Sequence, residues 1–531
     1  MAKQNENTKS FMYGTIILLI ANALVKVIGA VFKIPLTYIL GPEGMGYFST
    51  SYQMYTWMFI IATAGLPVAI SKMVSESSAR GNLEEVKSIF RVSFRLLTSI
   101  GIIGSAILFF GADFFAEKLL KNSGAADGIR AIAPSMLFVS LMSAYRGYFQ
   151  GHQNMVPTAF SEVVEALGKL VVGFVLAYIL SAKSMEFASA GAVFGVSCGS
   201  FFGFLILLFM FGKKKKSDIS SSSVNPVLPD GAYLKKLIKI AVPITIGASV
   251  FSLTSLIDMA MIMRRLQAGG FSQSEANMLW GSYSGYAFPL FNLPPTLINA
   301  ITVSIVPAIA SAFAKKDYQI ASSQSSKSLK ITTLFSLPCA VGMSILSKPI
   351  LNLVYGETHA SETLEILSLA IVFVSLVLVT NAILQATGNV LVPVKNMLIG
   401  GVIKIVVNYI LVANPDFNIK GAPIGTTLCY VVILALNLID MKKRLNIRLG
   451  AVEIFFKPLF ASIVMAAAII LVNPLFENFS RLASALIPIV FGMIVYLIVL
   501  AIIKGINEDD LALFPKSETL IKTFRKLKII R

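Results

Sequence analysis

Residues 150–169, QGHQNMVPTAFSEVVEALGK, return in altered form at residues 385–404, QATGNVLVPVKNMLIGGVIK. Gln150, Asn154, Pro157 and Lys169 of the first stretch are answered by Gln385, Asn389, Pro393 and Lys404 of the second, at an offset of about 235 residues. Two further echoes keep the same order: Gly191-Ala-Val-Phe-Gly195 with Gly421-Ala-Pro-Ile-Gly425, and Leu66-Pro-Val-Ala-Ile-Ser71 with Val306-Pro-Ala-Ile-Ala-Ser311. Three ordered matches mark an internal duplication, so the fold is expected to consist of two related halves.

Composition places those halves in a membrane. The 531 residues are 56% hydrophobic and 14% charged, with a mean hydropathy of +0.77, whereas charged residues alone approach about 25% of a soluble domain. Apolar runs of about 20 residues or more lie near 11–40, 46–71, 92–112, 131–149, 156–180, 186–211, 237–263, 278–313, 329–355, 362–387, 392–413, 421–440, 454–475 and 484–503. They predict an all-α integral membrane protein of 14 transmembrane helices. Six helices separate equivalent positions, so both halves enter the membrane in one direction, as six-helix bundles related by a pseudo-two-fold along the membrane normal. The expected organisation is a bundle over 1–211, a cytoplasmic linker over 212–236 carrying KKKK, a Ser run and two prolines, and a second bundle over 237–441. Helices 13 and 14 over 442–503 and a basic cytoplasmic tail over 504–531 have no counterpart in the repeat.

The 45 Lys and Arg against 27 Asp and Glu give a formal net charge of +18. With both termini cytoplasmic, Lys213 to Lys216, Lys315, Lys316, Lys442, Lys443, Arg444 and the tail from Lys522 to Arg531 all lie inside. About 30 basic residues then face the cytoplasm against about 9 outside, the bias that orients membrane proteins. The charge therefore reads as topology, with attraction to anionic lipid as a secondary effect, and no nucleic-acid partner is expected. The polar start MAKQNENTKS and the apolar run after it read as a retained anchor. Cys198, Cys339 and Cys429 lie in predicted helices without CxxC spacing, and His152 and His359 fall on opposite sides of the membrane, so neither a disulfide framework nor a metal centre is expected. No extramembrane segment is large enough to carry a catalytic centre, and the chain is not expected to be an enzyme.

Charges inside the helices mark the candidate site. Asn22, Lys26 and Lys33 fall within about 40° of arc on the first helix, and a lysine at bilayer depth costs roughly 2.5–3.5 kcal/mol unless it faces protein, water or an anion. Their partner is a carboxylate such as Glu165 or Asp258, water, or cargo. Glu162, Glu165 and Lys169 share one face of the fifth helix, where Glu165 and Lys169, one turn apart, either neutralise each other or touch substrate. Asp258 is the acid of the seventh helix, and Arg264 and Arg265 at its outer end either pair with it or snorkel to the interface. Lys404 and Asn408 on the eleventh helix repeat the Lys169 pattern. The expected substrate-binding set is Asn22, Lys26, Lys33, Glu165, Lys169, Asp258, Lys404 and Asn408, around a path between the halves. Pro243, Pro289, Pro294, Pro295, Pro307 and Pro338 are either a gate or static kinks.

Lys26-Val-Ile-Gly29 through Leu40-Gly-Pro-Glu-Gly-Met-Gly46, followed by Gly65-Leu-Pro-Val-Ala-Ile-Ser-Lys72, resembles the multidrug/oligosaccharidyl-lipid/polysaccharide (MOP) exporter superfamily. Tyr286-Ala-Phe-Pro-Leu-Phe-Asn-Leu-Pro-Pro295 to Pro307, with Lys404 to Asn408, is similar to its stage V sporulation protein B branch, relatives of the MurJ-like lipid II flippases. The resemblance implies outward flipping of an undecaprenyl-pyrophosphate-linked saccharide by alternating access. It further implies that helices 13 and 14 form a groove for the lipid tail and that Lys26 and Lys33 meet the diphosphate. The Gram-negative flippases carry a further arginine early in the eighth helix, and Ala287 to Leu290 has none. The alternative is a drug/cation antiporter of the same superfamily. Either would be a monomer in the bacterial cytoplasmic membrane without a cofactor, with coupling to membrane potential, Na+ or H+ and the identity of the sugar left open.

Overall fold

Glycine and proline decide where the helices of this chain bend and stop. The structure, a computed structural model, describes residues 2–217, 228–389, 391–445, 452–476 and 479–505. Residues 218–227 of the expected linker and 506–531 of the expected tail lie outside the described residues. All regular elements among those described are helical: α1 (Ala2–Thr63), α2 (Leu66–Ala79), α3 (Leu83–Phe110), α4 (Ala126–Gly151), α5 (Val156–Leu180), α6 (Met185–Ser217), α7 (Asp230–Ala268), α8 (Gln273–Gly281), α9 (Phe288–Phe291), α10 (Leu293–Ala314), α11 (Tyr318–Ile345), α12 (Ser347–Tyr355), α13 (Ser361–Ala386), α14 (Leu391–Leu411), α15 (Gly421–Leu445), α16 (Lys457–Phe476) and α17 (Arg481–Ile502). Among the described residues, eleven helical stretches are long and apolar enough to cross a membrane. The first, Ile20–Ala79, has 60 residues, about 90 Å of helix if straight, against a hydrocarbon core of about 30 Å. The protein is an all-α, multi-pass membrane protein.

Helix α1 bends at Gly41, whose φ of 58° and ψ of −172° lie outside helical space and suit a residue without Cβ. Three expected spans are cut more finely than the apolar pattern suggests. The second stops at Thr63 and restarts at Leu66, where Pro67 has no N–H to return to the preceding turn; beside the break α7 approaches so closely that a Cβ on Gly65 would overlap the Ala241 carbonyl. The eighth is broken into α8, a π-helical turn over Ser282–Ala287, α9 and α10, since Pro289, Pro294 and Pro295 each remove a backbone donor. The ninth ends at Ile345, four residues before Pro349, and resumes as α12.

The chain divides into two compact units, Met1–Arg264 with Ser272–Gly281, and Arg265–Phe271 with Ser282–Arg531. In the first, α2, α3, α4 and α7 share a core of Ile70, Met73, Ile89, Leu97 and Leu237. Gly191, Gly195, Gly199 and Gly203 recur every four residues along one stripe of α6, and α5 lies on that stripe. Such spacing lets backbones approach closely in a membrane, where packing replaces hydrophobic burial between helices. A Cβ on Gly199 would stand 2.8 Å from the Lys169 amide nitrogen and overlap the Glu165 carbonyl. The α5–α6 contact thereby fixes the height of both charged residues.

Three connections that the sequence places on one membrane side meet in a buried polar knot of this unit. Asn122 Nδ2 donates to Thr50 Oγ1 at 3.1 Å and to Asn277 Oδ1 at 2.8 Å. Asn277 Nδ2 donates to the Glu43 carbonyl at 2.8 Å. Helix α8, which carries Asn277, starts in a capping box: the Ser272 amide donates to Glu275 Oε2 at 2.8 Å, and the Glu275 amide donates to Ser272 Oγ at 3.3 Å. Those bonds stabilise the charged form and hold the Glu275 carboxyl below its usual range.

In the second unit, α10, α11, α13 and α15 enclose Leu329, Leu376, Val379, Ile383 and Ile433. Helices α16 and α17 pack on α11, where Tyr496 Oη donates to the Leu334 carbonyl at 2.8 Å.

Candidate functional site

The duplication is visible as one contact made twice. In the first unit α6 presses Gly195 against Gly173 and the Lys169 carbonyl of α5, the latter 2.9 Å from where a Cβ on Gly195 would stand. In the second, α15 presses Gly425 against Asn408 and the Lys404 carbonyl of α14, at 3.5 Å by the same measure. Gly195 and Gly425, Lys169 and Lys404, and Gly173 and Asn408 thus occupy matching places within their own units.

Lys169 lies in the bend of α1. Its ammonium stands 5.2 Å from the ring centre of Phe32, on the arm before Gly41, and 4.5 Å from that of Tyr52, on the arm after it. Phe48 completes this floor, stacked on Tyr52 with ring centres 5.8 Å apart. An ammonium over aromatic faces gains about 0.5–2 kcal/mol without losing its charge. Lys33, half-buried beside Phe32, is near enough for the Lys169 charge to act on it.

Glu165 does not belong to Lys169. Its Oε2 accepts from Arg146 Nη2 of α4 at 2.9 Å, and its Oε1 accepts from Ser200 Oγ of α6 at 3.1 Å. Arg146 Nε also donates to Ser161 Oγ at 3.1 Å. The pair is largely enclosed, with side-chain exposures of 15% for Arg146 and 23% for Glu165. The local Glu165–Lys169 pair expected from i,i+4 spacing is therefore replaced by a bond across helices, because Arg146 offers a planar donor already fixed by Ser161.

The structure brings Lys33, Glu165 and Lys169 together in the first unit. Asn22 and Lys26 lie further back on the same arm of α1, both exposed. Asp258 is buried on α7 of that unit. Lys404, half-buried, and Asn408, fully buried, lie on α14 of the second. Arg264 and Arg265 bind backbone within their own units: Arg264 donates to the Lys118 carbonyl at 2.8 Å, and Arg265 to the Tyr409 carbonyl at 2.8 Å while stacking on the Tyr409 ring.

Sequence reasoning missed Arg146, although a basic residue within the fourth apolar run carried the same signal as Lys26. It also missed a counterpart in the second unit, where asparagines stand in place of Arg146 and Ser161. Asn396 Nδ2 reaches Asn437 Oδ1 at 2.9 Å and Asp440 Oδ2 at 3.0 Å, and Asn437 Nδ2 reaches Thr380 Oγ1 and Asn381 Oδ1. Asn381 and Asn396 follow Arg146 and Ser161 at the repeat offset of about 235.

A duplicated bundle of membrane helices that encloses cationic side chains at depth defines the class of polytopic membrane transporters. The chain belongs to the polysaccharide biosynthesis protein family, whose profile matches residues 11–313. The MatE profile matches residues 282–410, and together they place it in the MOP superfamily, in the branch of stage V sporulation protein B and MurJ. It is 26% identical over 521 residues to stage V sporulation protein B of Bacillus subtilis, covering 97% of this chain and 98% of the relative. It is 28% identical over 462 residues to the lipid II flippase MurJ of the same organism, covering 82% and 83%. Among solved structures, a lipid II flippase MurJ in an inward closed conformation shares the fold, with a TM-score of 0.68 and 16% identity over 92% of this chain and 98% of that one.

Proposed function

We propose that this transporter is a flippase that moves an undecaprenyl-pyrophosphate-linked saccharide, lipid II or a related cell-wall or polysaccharide precursor, across the bacterial cytoplasmic membrane by alternating access. The observation that carries the reading is the setting of Lys169. Its ammonium rests on two aromatic rings, while the nearest carboxylate on its own helix is engaged by Arg146 and Ser200. An ammonium held this way offers itself to an anion, and a diphosphate is the anion that a lipid-linked sugar carries. Lys33 beside it and Lys26 on the same arm supply further cations, and Lys404 takes the matching place in the second unit. The relative named lipid II flippase MurJ supports that substrate class. In this reading the monomer keeps both termini in the cytoplasm, and each charge moved through the field draws about 2.3 kcal/mol per 100 mV from the membrane potential.

The test is reconstitution of wild type and of K26A, K33A and K169A in liposomes, with translocation of labelled lipid II as the readout. We expect each substitution to slow flipping, K169A by about tenfold or more, the loss of one charge-assisted contact of roughly 1.5–3 kcal/mol. Undiminished flipping in monodisperse, folded variants sinks the reading.

The match of residues 282–410 to the MatE profile and the buried Asp258 favour a second reading, a drug/cation antiporter. Uptake of a cationic dye into the same liposomes, with no lipid II translocation, would select it.

A further inference from the structure

Two carboxylates on α5 compete for one guanidinium. Glu165 holds Arg146 at 2.9 Å. Glu162, three residues earlier, lies within reach of the charges of both Arg146 and Glu165. Its Oε2 is buried and has no hydrogen-bond partner among the described residues. Arg146 directs Nε to Ser161 and Nη2 to Met142 and Glu165, and none of these bonds reaches Glu162. A second ionised carboxylate here would meet repulsion from Glu165 while its buried Oε2 accepts no hydrogen bond. Carboxyl groups in that situation share a proton.

We propose that Glu162 is a proton-binding site, holding one exchangeable proton beside the Arg146–Glu165 pair and setting by its release the charge that Lys169 faces. The step is a simple acid dissociation: the neutral carboxyl gives its proton to water and becomes a carboxylate. With the proton bound, Arg146, Glu165 and Glu162 sum to zero; without it they sum to one negative charge. Glu162 and Lys169 are seven residues apart on one face of α5, so that negative charge competes with any anion for the Lys169 ammonium. Binding of a proton and of an anionic headgroup therefore favour each other, and the linkage is reciprocal. The charged groups that act on Glu162 are Arg146 on α4 and Glu165 on its own helix; the same two act on Tyr55 of α1, and Lys169 lies two turns further along α5. Of the two carboxyls, Glu165 has a guanidinium and a hydroxyl bond in place.

The linkage to anion binding rests on the flippase reading; the proton site itself does not. Dicyclohexylcarbodiimide, which modifies protonated carboxyls in apolar surroundings, is applied to the full-length protein in detergent, and the adduct is mapped by mass spectrometry. An adduct on Glu162 that fades as pH rises supports the proposal; labelling of Glu165 instead, or no adduct on Glu162, overturns it. Farnesyl pyrophosphate binding is then measured across pH for wild type and E162Q, the ionisation of the ligand being common to both. The wild type should lose affinity more steeply with rising pH, by up to about tenfold per pH unit for one linked proton. Parallel slopes overturn the linkage. No binding by either protein, with the Glu162 adduct present, rejects the anion site and leaves the proton site supported.

Discussion

Asn122 donates to Asn277 at 2.8 Å across 155 residues of chain, and neither side chain is exposed. The bond joins the loop before α4 to α8 in a unit where Gly46 and Gly281 leave no room for a Cβ between α1 and α8. Asn277→Ala removes an acceptor for Asn122 and a donor for the Glu43 carbonyl. Unsatisfied buried partners of this kind cost about 1–3 kcal/mol. We expect N277A to melt several degrees below wild type in detergent, and G46A, whose Cβ would stand 2.7 Å from Asn277 Cγ, to melt lower as well. Unchanged melting of both would show that the knot contributes nothing to holding α8 in place.

Gly199→Ala probes the α5–α6 seam at the height of the site. The added methyl overlaps the Glu165 carbonyl and crowds the Lys169 amide, and overpacking of this kind costs about 1–3 kcal/mol. Displacing α5 also moves Lys169 off the rings of Phe32 and Tyr52. Lipid II translocation should therefore fall further in G199A than in G212A, since a Cβ on Gly212 meets nothing within 4 Å. Equal activities in the two would argue against a positional role for the seam.

The repeat and the buried charges were legible because each leaves a local mark: a spacing, or a lysine in an apolar run. Gly195 and Gly425 were read only as echoes, yet they press on the carbonyls of Lys169 and Lys404, the residues the echo was used to align. Pairing was not legible. Glu165 lies one turn from Lys169 in sequence, and helical spacing alone favours that pair, but α4 brings Arg146 from 19 residues away. The aromatic floor was hidden for the same reason, since Phe32 and Tyr52 meet at Lys169 only because Gly41 bends α1 between them. Helix ends were misjudged where proline interrupts hydrogen bonding without lowering hydropathy, as at Pro294, Pro295 and Pro349.

Arg146 and Glu165 form a mostly enclosed ion pair, so removing one partner leaves the other unpaired. R146A should destabilise the folded protein by about 3 kcal/mol, the low end for breaking a buried pair, because some solvent reaches both groups. The double variant R146A/E165A should recover part of that loss, and the coupling energy from the cycle should exceed about 1 kcal/mol. Chemical unfolding followed by fluorescence of the protein's tryptophans supplies the four free energies. Additive losses would show that the pair does not hold α4 to α5.

His359 gives the second unit a pH-dependent stability of predictable sign. Its ring meets Tyr286 edge-on at 4.7 Å and lies mostly covered in the connection between α12 and α13, with Glu357 Oε2 3.6 Å from Nδ1. Burial lowers its pKa below the ordinary 6.5, and the nearby Glu357 carboxylate only partly opposes that. Above pH 6.5 the ring is neutral whether the chain is folded or not, and it adds no pH dependence. As pH falls below that value the unfolded chain takes up the proton first, so folding is progressively disfavoured until the folded ring is protonated too. His359→Gln removes this titration. Melting temperatures of wild type and H359Q should therefore be compared at about pH 7.5 and about pH 5.5, either side of the free imidazole value. The wild type should lose more on acidification than H359Q does, and a constant difference between the two would show that the ring is not held neutral by the packing around Tyr286.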